Sequence, residues 1–586
     1  MFQYVASEIN YLNPIDDILK NRGIENIEEF KNPTEKNLED VKKFGYVLDK
    51  GKELIEKAIN YNWNVTILFD CDIDGYTSGS LMYQVCKKLG INTNYIFHNG
   101  KEHGLDDNTF EKIQDMKPLP NLLIIPDAST NDVEQITILL MLGINVLILD
   151  HHDLEINTSV INPTEYSDYF GLVDSNGNDI DCVVINNQIQ NVDDKSMTGV
   201  GIVYKFVKYL EMNNFKVIAD DYLDLVALGM IGDVFDAKQL QSRYLVFKGI
   251  SQINTRSNTN KFISLLKENN FSDTNIIDIA FNYVPMINSL IRLGEPEDKE
   301  YLIKALINSD EITSDKIRGK GLINMSVQEY AYRRCEHFKR LQKKLVDEST
   351  QILVEQIEQF DLDYAPVIVC NAQDINKNLT GLIANKLTSI YSKPVMVLSK
   401  VDNLLCGSAR GKNGSEIEDF KSFCENTKLF TKLAGHSNAF GVNIEENKIQ
   451  VLFDFLNSLT HTPVCLKIDK LLTNQELNLN FANNLLKYGY LWGCGVDEPK
   501  FVVKMDLNVK KIKILNSKTI TFQSNGLKYI MFNAPKIFTQ DIDKLMNEKN
   551  IPCELLIKIS KNTYNNITSP QIIIEDINSD YLEIPF

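Results

Sequence analysis

The chain has 586 residues, of which 44% are hydrophobic and 24% are charged, and its formal net charge is −18. A single hydrophobic core stops growing near ~250–300 residues, so we expect about two to four domains. The acidic balance argues against a protein that coats nucleic acid with general positive charge, while a local basic channel stays compatible with it.

The cysteines and the apolar segments favour a soluble cytoplasmic protein with no membrane association. The 10 cysteines include no C-x-x-C pair, so we expect reduced thiols and no structural zinc site. The first residues lack the basic and apolar regions of a signal peptide. The most apolar stretch, Ile136 to Leu149, is too short to span a bilayer and is predicted to be a helix end, a turn and a buried strand.

Apolar runs alternate with helical patterns from residue 46 onwards, after a polar segment that is predicted to be helical. The runs that predict strands are VTILF (65–69), NYIFH (94–98), NLLIIP (121–126), NVLIL (145–149) and VVIN (183–186). Between the third and the fourth run, Asn131 or Asp132 is placed to cap a helix that ends near Leu142. The alternation predicts an α/β fold in which helices cover both faces of a parallel sheet.

The second half of the chain predicts a connector and two further domains. No Gly or Pro occurs from Ser326 to about Phe360, which predicts one long helix. Its basic residues are either a solvated face or a DNA-facing stripe: Arg333, Arg334, Lys339, Arg340, Lys343 and Lys344. Another α/β segment begins at Pro366, and short strands in residues 500–586 suggest a small β-barrel. The predicted domains are a helical segment (1–45), a first α/β domain (46–320), a connector helix (321–362), a second α/β domain (363–465) and a barrel-like domain (466–586).

Acidic residues follow the predicted strands of the first α/β domain. Asp70, Asp72 and Asp74 come after the first strand, Asp127 after the third, and the run Asp150-His151-His152 after the fourth. Ligands of an open parallel sheet bind beyond the carboxyl ends of its strands. The alternate spacing of residues 70, 72 and 74 is expected to aim their carboxylates at one side of an extended segment. A lone Asp in such a place is usually a turn former or a helix cap, but the coincidence at successive strands favours a shared site.

Crowded carboxylates repel one another unless a cation lies between them. Mg²⁺ and Mn²⁺ prefer oxygen ligands, and an added imidazole favours Mn²⁺. Two such ions ~3.5–4 Å apart can clamp a phosphate and lower the pKa of a bound water. The pattern therefore predicts a metal-dependent phosphoesterase.

Ordered motifs in the chain resemble a known family. The segments LFDCDIDGYTSGSL, IIPDAST, LILDHHD and LVALGMIGDV resemble the four motifs of the DHH phosphoesterase superfamily. CGSAR and AGHSNAFG resemble the DHH-associated domain, and GCGVDEPKF and NTYNNITSPQIIIEDI resemble the OB-fold of the RecJ family. That family consists of bacterial exonucleases that degrade single-stranded DNA in the 5′→3′ direction, and the similarity extends over nearly the whole chain.

The resemblance implies two divalent ions, Mn²⁺ or Mg²⁺, and a role for each matched residue. Asp72 and Asp127 would hold one ion, with Asp70 as a further candidate. The other ion would be held by Asp74, Asp127, His151 and Asp233, which makes Asp127 the bridge. His152 would face the scissile phosphate, and Asp150 would orient the histidines. The implied catalytic set is thus Asp72, Asp74, Asp127, His151, His152 and Asp233.

Other matched residues are implied to bind the substrate: His103, Asn288, Arg292, Ser408, Arg410 and His436. The planar guanidinium of an arginine suits phosphate oxygens. The chain departs from the family pattern at Ala409 and Ala434, where the family usually has glycines. We expect these departures to affect the binding of the DNA strand more than its cleavage. Basic and aromatic candidates for gripping the strand in the barrel are Lys528, Tyr529, Lys558, Lys561 and Tyr564.

The lead interpretation is a RecJ-like exonuclease that releases mononucleotides from single-stranded DNA, through a cleft between the two α/β domains that excludes a duplex. A single-strand-binding protein and a helicase are implied as partners, in the cytoplasm of a bacterium or of a phage host. One alternative is a DHH phosphodiesterase for short oligonucleotides or cyclic dinucleotides, whose relatives lack the long helix and the barrel. The other is a non-catalytic replication scaffold that binds single-stranded DNA, against which the intact ligand set argues.

Overall fold

The computed structural model describes residues 3–10, 13–100, 103–154, 181–255, 259–270, 274–317, 319, 321–373, 375–412, 415, 417–459, 465–539, 542, 550–564 and 567–579. They form two compact units. The larger unit comprises residues 28–341 and 490–497, and the smaller unit comprises residues 1–27, 342–489 and 498–586. The boundaries of the five predicted domains stay predictions.

The strands are β1 (Gln3–Ala6), β2 (Asn64–Phe69), β3 (Asn92–Phe97), β4 (Leu122–Pro126), β5 (Asn145–Asp150), β6 (Cys182–Asn186), β7 (Ile312–Ile317), β8 (Gly321–Ser326), β9 (Ile368–Asn371), β10 (Val395–Val401), β11 (Leu404–Arg410), β12 (Phe430–His436), β13 (Ala439–Glu445), β14 (Cys465–Ile468), β15 (Lys470–Thr473), β16 (Lys500–Leu507), β17 (Lys513–Leu515), β18 (Thr519–Ser524), β19 (Leu527–Met531), β20 (Ile551–Tyr564) and β21 (Ile567–Asn578).

The α-helices are α1 (Pro14–Asn21), α2 (Ile27–Lys31), α3 (Val47–Asn60), α4 (Ile73–Lys88), α5 (Asp107–Gln114), α6 (Val133–Met141), α7 (Gly199–Met212), α8 (Leu223–Gly232), α9 (Leu240–Thr255), α10 (Lys261–Asn270), α11 (Ile276–Asp278), α12 (Val284–Leu293), α13 (Pro296–Leu306), α14 (Val327–Gln359), α15 (Thr380–Tyr391), α16 (Phe420–Thr427), α17 (Ile449–Asn457), α18 (Leu479–Lys487) and α19 (Lys536–Thr539).

A five-stranded sheet forms the centre of the larger unit, in the order β3-β2-β4-β5-β6. All of its pairings are parallel, which confirms the predicted α/β fold. On one face, α5 and α6 contribute Ile113 and Leu139 to a buried cluster with Ile125 and Ile148 of the strands. On the other face, α3 lies close to β6, where a Cβ at Gly51 would meet Ile185 and Phe206. The strands therefore carry apolar residues on both faces, as their near-continuous apolar runs predict.

The strand order fixes where a ligand can bind. From β2, the chain runs outwards to β3 on one side and then to β4, β5 and β6 on the other. The connections diverge between β2 and β4, and the crevice at the carboxyl ends of such strands is the usual ligand site of an open α/β sheet. Asp70 follows β2 and Asp127 follows β4, so both lie at this crevice.

An apolar helical stretch of the larger unit belongs to its core. Among the residues that the structure describes, only Ile276–Leu293 has the length and apolar composition of a membrane span, and 56% of it is buried within the protein. It comprises α11, a π-helical turn at Ile279–Tyr283 and α12, and its residues Met286, Ile287 and Leu290 are buried. Burial against protein accounts for its composition.

The smaller unit contains two larger sheets. A mixed five-stranded sheet has the order β12-β13-β11-β10-β9, and its core includes Val369, Met396 and Phe440. The C-terminal strands form a seven-stranded sheet in the order β15-β16-β20-β21-β19-β18-β17. The chain passes from the larger to the smaller unit within α14, the single long helix predicted from Ser326 to Phe360.

The N-terminal segment differs from its prediction. Residues 1–45 were expected to be helical, which α1 and α2 confirm, but β1 pairs in parallel with β14, so that Gln3 lies opposite Cys465 and Ala6 opposite Ile468. The partner strand is more than 450 residues away in the sequence. A short strand with so distant a partner leaves little local signal, because pairing rather than propensity defines it.

Candidate metal centre

Four acidic or imidazole side chains converge beyond the carboxyl ends of β2, β4 and β5. His151 Nε2 lies 3.2 Å from Asp127 Oδ1 and 3.5 Å from Asp233 Oδ2. Ligand atoms of Asp74, His151 and Asp233 lie within 4.8 Å of one another. Oxygen ligands with one imidazole are a donor set that suits Mn²⁺ or Mg²⁺.

Asp74 reaches this cluster because a helix begins one residue before it. Asp72 caps α4, since its Oδ1 accepts hydrogen bonds from the N–H groups of Asp74, at 2.9 Å, and Gly75, at 3.1 Å. The predicted extended geometry of residues 70, 72 and 74 is therefore wrong, because the capping carboxylate turns the chain into the helix. Asp74 is fully buried, and its Oδ1 accepts from the N–H of Val200, at 3.2 Å, in the first turn of α7.

Asp127 is held in an unusual backbone conformation. Its φ of 68° lies in the left-handed region, and its N–H donates to the carbonyl oxygen of Leu149 at 2.8 Å. Non-glycine residues in this region are uncommon and cluster at functional sites. The start of α7 approaches Asp127 closely because residue 199 is a glycine: a Cβ there would lie 2.3 Å from Asp127 Oδ1.

The buried carboxylates lack the donors that would satisfy them. Asp74 Oδ2 accepts no hydrogen bond from any residue that the structure describes, and Asp127 Oδ1 has His151 Nε2 3.2 Å away but no hydrogen bond of good geometry from those residues. Burial and the charge of Asp72 raise the pKa of Asp74 to about 6. Burial and the charge of Asp74 also raise the pKa of Asp127 and of Asp233 well above the usual range. A divalent cation would satisfy these oxygens and offset the repulsion, so the residues fit the predicted metal.

Asp150 orients the two histidines that follow it. Its Oδ1 accepts from the N–H of His151 at 2.7 Å and lies 2.7 Å from His152 Nδ1, while Oδ2 accepts from the N–H of Thr130 at 3.1 Å. Burial would raise the pKa of Asp150, but the hydrogen bond and charge of His152 hold it well below its usual range. Burial lowers the pKa of His152, whereas its hydrogen bond with Asp150 raises it more strongly, to about 9. His152 is therefore a half-exposed cation beside the cluster.

Asp70 belongs to a neighbouring cluster with Cys71 and His103. Its Oδ2 lies 2.6 Å from His103 Nδ1, and its Oδ1 accepts from the N–H of Gly104 at 2.9 Å. Burial opposes the ionisation of Asp70, but the charge of His103 lowers its pKa well below the usual range. His103 is 57% exposed and its pKa is raised, since the charge of Asp70 outweighs burial. A second imidazolium, that of His103, is thus held by Asp70 beside the end of β2.

The remaining predicted substrate residues of the larger unit lie on α12. Burial lowers the pKa of Arg292, and the charge of Asp72 partly offsets it, so the guanidinium lies near that carboxylate. Asn288 is buried, and its Oδ1 accepts no hydrogen bond from the described residues. The charge of Arg292 is thus close to the end of β2, and a role of Asn288 in substrate binding stays a prediction.

The other three predicted substrate residues lie in the smaller unit, on β11 and β12. Ser408 Oγ lies 2.9 Å from Thr380 Oγ1 at the start of α15. Arg410 lies beside the same helix end, because a Cβ at Gly381 would come within 2.6 Å of its guanidinium. A helix N-terminus with a serine and an arginine suits an anion. His436 ends β12, and its side chain lies outside the described part of the chain.

Several predicted nucleic-acid contacts have structural partners instead. Tyr529 is fully buried and stacks on Phe522 with ring centroids 4.7 Å apart, so its prediction as a strand-gripping residue is wrong. Lys558 pairs with Glu498 at 3.4 Å. Arg334 of the predicted basic stripe forms two hydrogen bonds with Asp298, at 2.5 and 3.1 Å. The side chain of Tyr564 lies outside the described residues.

Two residues that hold the backbone of the histidines in place were not predicted from the sequence. Asn186 ends β6 and donates to the carbonyl oxygen of His152 and to Thr130 Oγ1, both at 3.0 Å. Gln188 donates to the carbonyl oxygen of His151 at 3.1 Å. The same rule that identified the other strand ends would have identified them, since the polar run Asn186-Asn187-Gln188 begins at the last residue of the apolar strand β6.

The chain matches two family descriptions. The DHH family, N-terminal domain, matches residues 64–230, which include Asp70 to Asp74, Asp127 and the histidines. The RecJ OB domain matches residues 468–576. These matches cover the parallel sheet and the C-terminal sheet, and they confirm the predicted resemblance.

Individual proteins with similar sequences or folds agree with these two family matches. A SPbeta prophage-derived protein of Bacillus subtilis (strain 168), named as a single-strand DNA-specific exonuclease, is 29% identical over 585 residues, covering 96% of both chains. The single-stranded-DNA-specific exonuclease RecJ of Haemophilus influenzae is 23% identical over 602 residues, covering 97% of this chain and 96% of the other. The crystal structure of RecJ with Mn²⁺ from Thermus thermophilus shares the fold, with a TM-score of 0.73, 16% identity, and coverage of 99% of this chain and 80% of that one.

Proposed function

We propose that this chain, which is a DHH phosphoesterase superfamily protein with a RecJ OB domain, is a metal-dependent exonuclease that degrades single-stranded DNA from the 5′ end to mononucleotides. The relatives named above as single-strand DNA-specific exonucleases extend over nearly all of the chain, which supports the substrate. The proposed setting is DNA repair, recombination or replication in the cytoplasm of a bacterium or a phage host. A single-strand-binding protein and a helicase are the proposed partners.

The observation that carries the proposal is the convergence of Asp74, Asp127, His151 and Asp233 around carboxylate oxygens that no described residue satisfies. These side chains would hold one divalent ion. The second ion would take Asp72 and Asp127, with Asp70, whose Oδ2 lies 2.6 Å from His103 Nδ1, as a further candidate. Bound Mn²⁺ or Mg²⁺ supplies Lewis-acid activation of water and neutralises phosphate charge.

The side chains around the metal ligands would bind and orient the phosphodiester. His152 presents a half-exposed imidazolium, because Asp150 raises its pKa to about 9, and we assign it to the scissile phosphate. Asp150 and Asn186 hold the backbone and ring of that histidine in place. His103, Asn288 and Arg292 would contact the strand in the larger unit. Ser408, Arg410 and His436 are proposed to bind phosphate in the smaller unit.

One experiment separates the proposal from its alternatives. The purified chain is incubated with Mn²⁺ and, in parallel, with end-labelled single-stranded DNA, duplex DNA, RNA and a cyclic dinucleotide. The expected result is release of mononucleotides from the 5′ end of single-stranded DNA only. Preferred cleavage of the cyclic dinucleotide would identify a small-substrate phosphodiesterase, and DNA binding without turnover would identify a scaffold.

A pair of variants tests the metal assignment. Asp127→Ala removes the proposed bridge between the ions and is expected to abolish turnover. Asp153→Ala removes an exposed carboxylate from the segment that follows β5, at the same edge of the sheet, and is expected to retain turnover. Turnover by Asp127→Ala at the rate of the control would refute the assignment of this residue.

A further inference from the structure

Residues 490–497 belong to the larger unit, although the chain on both sides of them belongs to the smaller unit. They also lie inside the range that matches the RecJ OB domain. Trp492 and Val496 are buried, and a Cβ at Gly493 would come within 2.6 Å of Ile276. A segment from the C-terminal part of the chain therefore completes the packing of the unit that carries the candidate metal centre.

The segment folds into a tight turn. Gly493 and Val496 exchange backbone hydrogen bonds of 2.8 and 3.2 Å, and the two residues between them, Cys494 and Gly495, have φ values of 46° and 86°. Two successive positive φ values are typical of the tightest turns between paired strands. The turn directs the carbonyl oxygen of Cys494 outwards, where it accepts a hydrogen bond from the N–H of Ala237 at 2.8 Å.

Ala237 lies on the loop that carries the proposed metal ligand Asp233. The residue after Asp233, Val234, has a φ of 58°, which a β-branched side chain rarely adopts. Such a conformation costs on the order of 1–3 kcal/mol and persists only when its surroundings impose it. The Val234 side chain is 67% exposed, so its own packing contributes little. The constraint comes from Phe235 and Ala237, which are buried and whose N–H groups bind Met230 and Cys494.

A buried arginine connects the same loop to the same segment. Arg243 is fully buried, and its guanidinium donates to the carbonyl oxygens of Phe30 at 2.6 Å, Ala237 at 3.4 Å and Leu491 at 3.3 Å. The Phe30 ring lies 3.6 Å from the guanidinium carbon. The planar guanidinium of Arg243 donates to several acceptors at once, which a lysine ammonium does not reproduce. One side chain thus links the loop after Asp233 to the segment before the turn.

We infer that residues 490–497 are a positioning element for Asp233: the turn and Arg243 hold the strained loop so that the Asp233 carboxylate stays at the cation position. The inference rests on the proposed metal centre and goes beyond it, because it assigns a function in metal binding to residues from the C-terminal part of the chain. A ligand displaced by a fraction of an ångström binds its ion less well, since supporting contacts set its position. Of the two ions, the one assigned to Asp233 depends on this support.

The test compares two glycine substitutions in the full chain. Gly495→Ala adds a Cβ that lies 3.2 Å from Asp236 Oδ1, at a φ of 86°, and so pushes the turn away from the loop. Gly143→Ala is the matched control, because Gly143 has a φ of 81° and no atom of the described residues lies within 4 Å of its Cβ position. Both variants carry a similar backbone strain, so we expect similar losses in melting temperature.

Titration calorimetry with Mn²⁺ alone measures the expected difference. In Gly495→Ala, we expect one of the two ions to bind about 10–100-fold more weakly, and the other to bind as in Gly143→Ala. A general loosening of the unit would weaken both ions equally and would overturn the inference, as would equal affinities in the two variants. Arg243→Lys is the second variant, and it is expected to weaken the same ion. Absence of Mn²⁺ binding by the unsubstituted chain would instead overturn the proposed function, and the inference with it.

Discussion

Replacement of Asp150 with asparagine is expected to change the pH dependence of DNA cleavage. Asp150 Oδ1 lies 2.7 Å from His152 Nδ1, and the pKa of His152 is about 9 because this hydrogen bond and the negative charge outweigh burial. An asparagine keeps one acceptor oxygen but has no charge. The pKa of His152 should therefore fall towards the ordinary histidine value of about 6.5.

The magnitude follows from the fraction of His152 that carries a proton. At pH 8, this fraction should fall from about 90% to about 3%, and at pH 6 from nearly all to about 75%. If the imidazolium contacts the scissile phosphate, the rate drops about 30-fold at pH 8 and less than about twofold at pH 6. Poorer orientation of His151 would lower the rate at every pH. The quantity to compare is therefore the ratio of the rates at pH 6 and pH 8, which should rise about 20-fold.

The assay is the initial rate of mononucleotide release from labelled single-stranded DNA at saturating Mn²⁺, between pH 6 and pH 8. Asp153→Asn is the control, because it makes the same charge change at an exposed position of the same segment. It should leave the profile unchanged. If the profile of Asp150→Asn superimposes on that of the unsubstituted chain after scaling, the role assigned to the His152 cation is wrong.

Three further predictions concern sterics, metal binding and stability. Gly199→Ala would place a Cβ 2.3 Å from Asp127 Oδ1, so displacement of that carboxylate should lower the cleavage rate about 100-fold while circular dichroism stays unchanged. Because burial raises the pKa of Asp74 to about 6, protons compete with the ion: Mn²⁺ affinity by calorimetry should fall at least about fourfold between pH 7.5 and pH 5.5, and a flat profile would contradict this. Burial also raises the pKa of Asp224 to about 6, above its value in the unfolded chain, so its stabilisation is present below about pH 4 and lost as the pH rises through 6. Relative to Asp224→Asn, the chain should lose about 2–3 kcal/mol of unfolding free energy in urea between pH 4 and pH 8, and parallel curves would refute that pKa.

The sheet and most of the metal cluster could be predicted because their signals are local. The predicted strands lie within about two residues of the observed ones, since buried parallel strands are apolar throughout. Asp127 and His151 come together because parallel strands end at the same edge, whichever loops connect them. Asp233 follows a helix rather than a strand, and only the resemblance to a family motif indicated it.

The features that could not be predicted depend on competition between alternative local structures or on partners that are distant in the sequence. The alternate spacing of Asp70, Asp72 and Asp74 suits an extended segment, but the Asp72 carboxylate instead caps a helix by accepting from the N–H groups of Asp74 and Gly75. Tyr529 lies on a strand whose sequence does not indicate which of its two faces is buried. The contact of Cys494 with Ala237 joins residues more than 250 positions apart, which no local pattern encodes.

The separation of Asp233 and Cys494 along the sequence also has a consequence for biosynthesis. Asp233 leaves the ribosome roughly 260 residues before Cys494, which corresponds to about 13–50 s at about 5–20 residues per second. During that interval, the parallel sheet can form from residues already synthesised, but the loop after Asp233 has no turn to bind its Ala237 N–H. The nascent chain would thus reach full metal affinity only after residues 490–497 have emerged, which would delay the onset of nuclease activity until then.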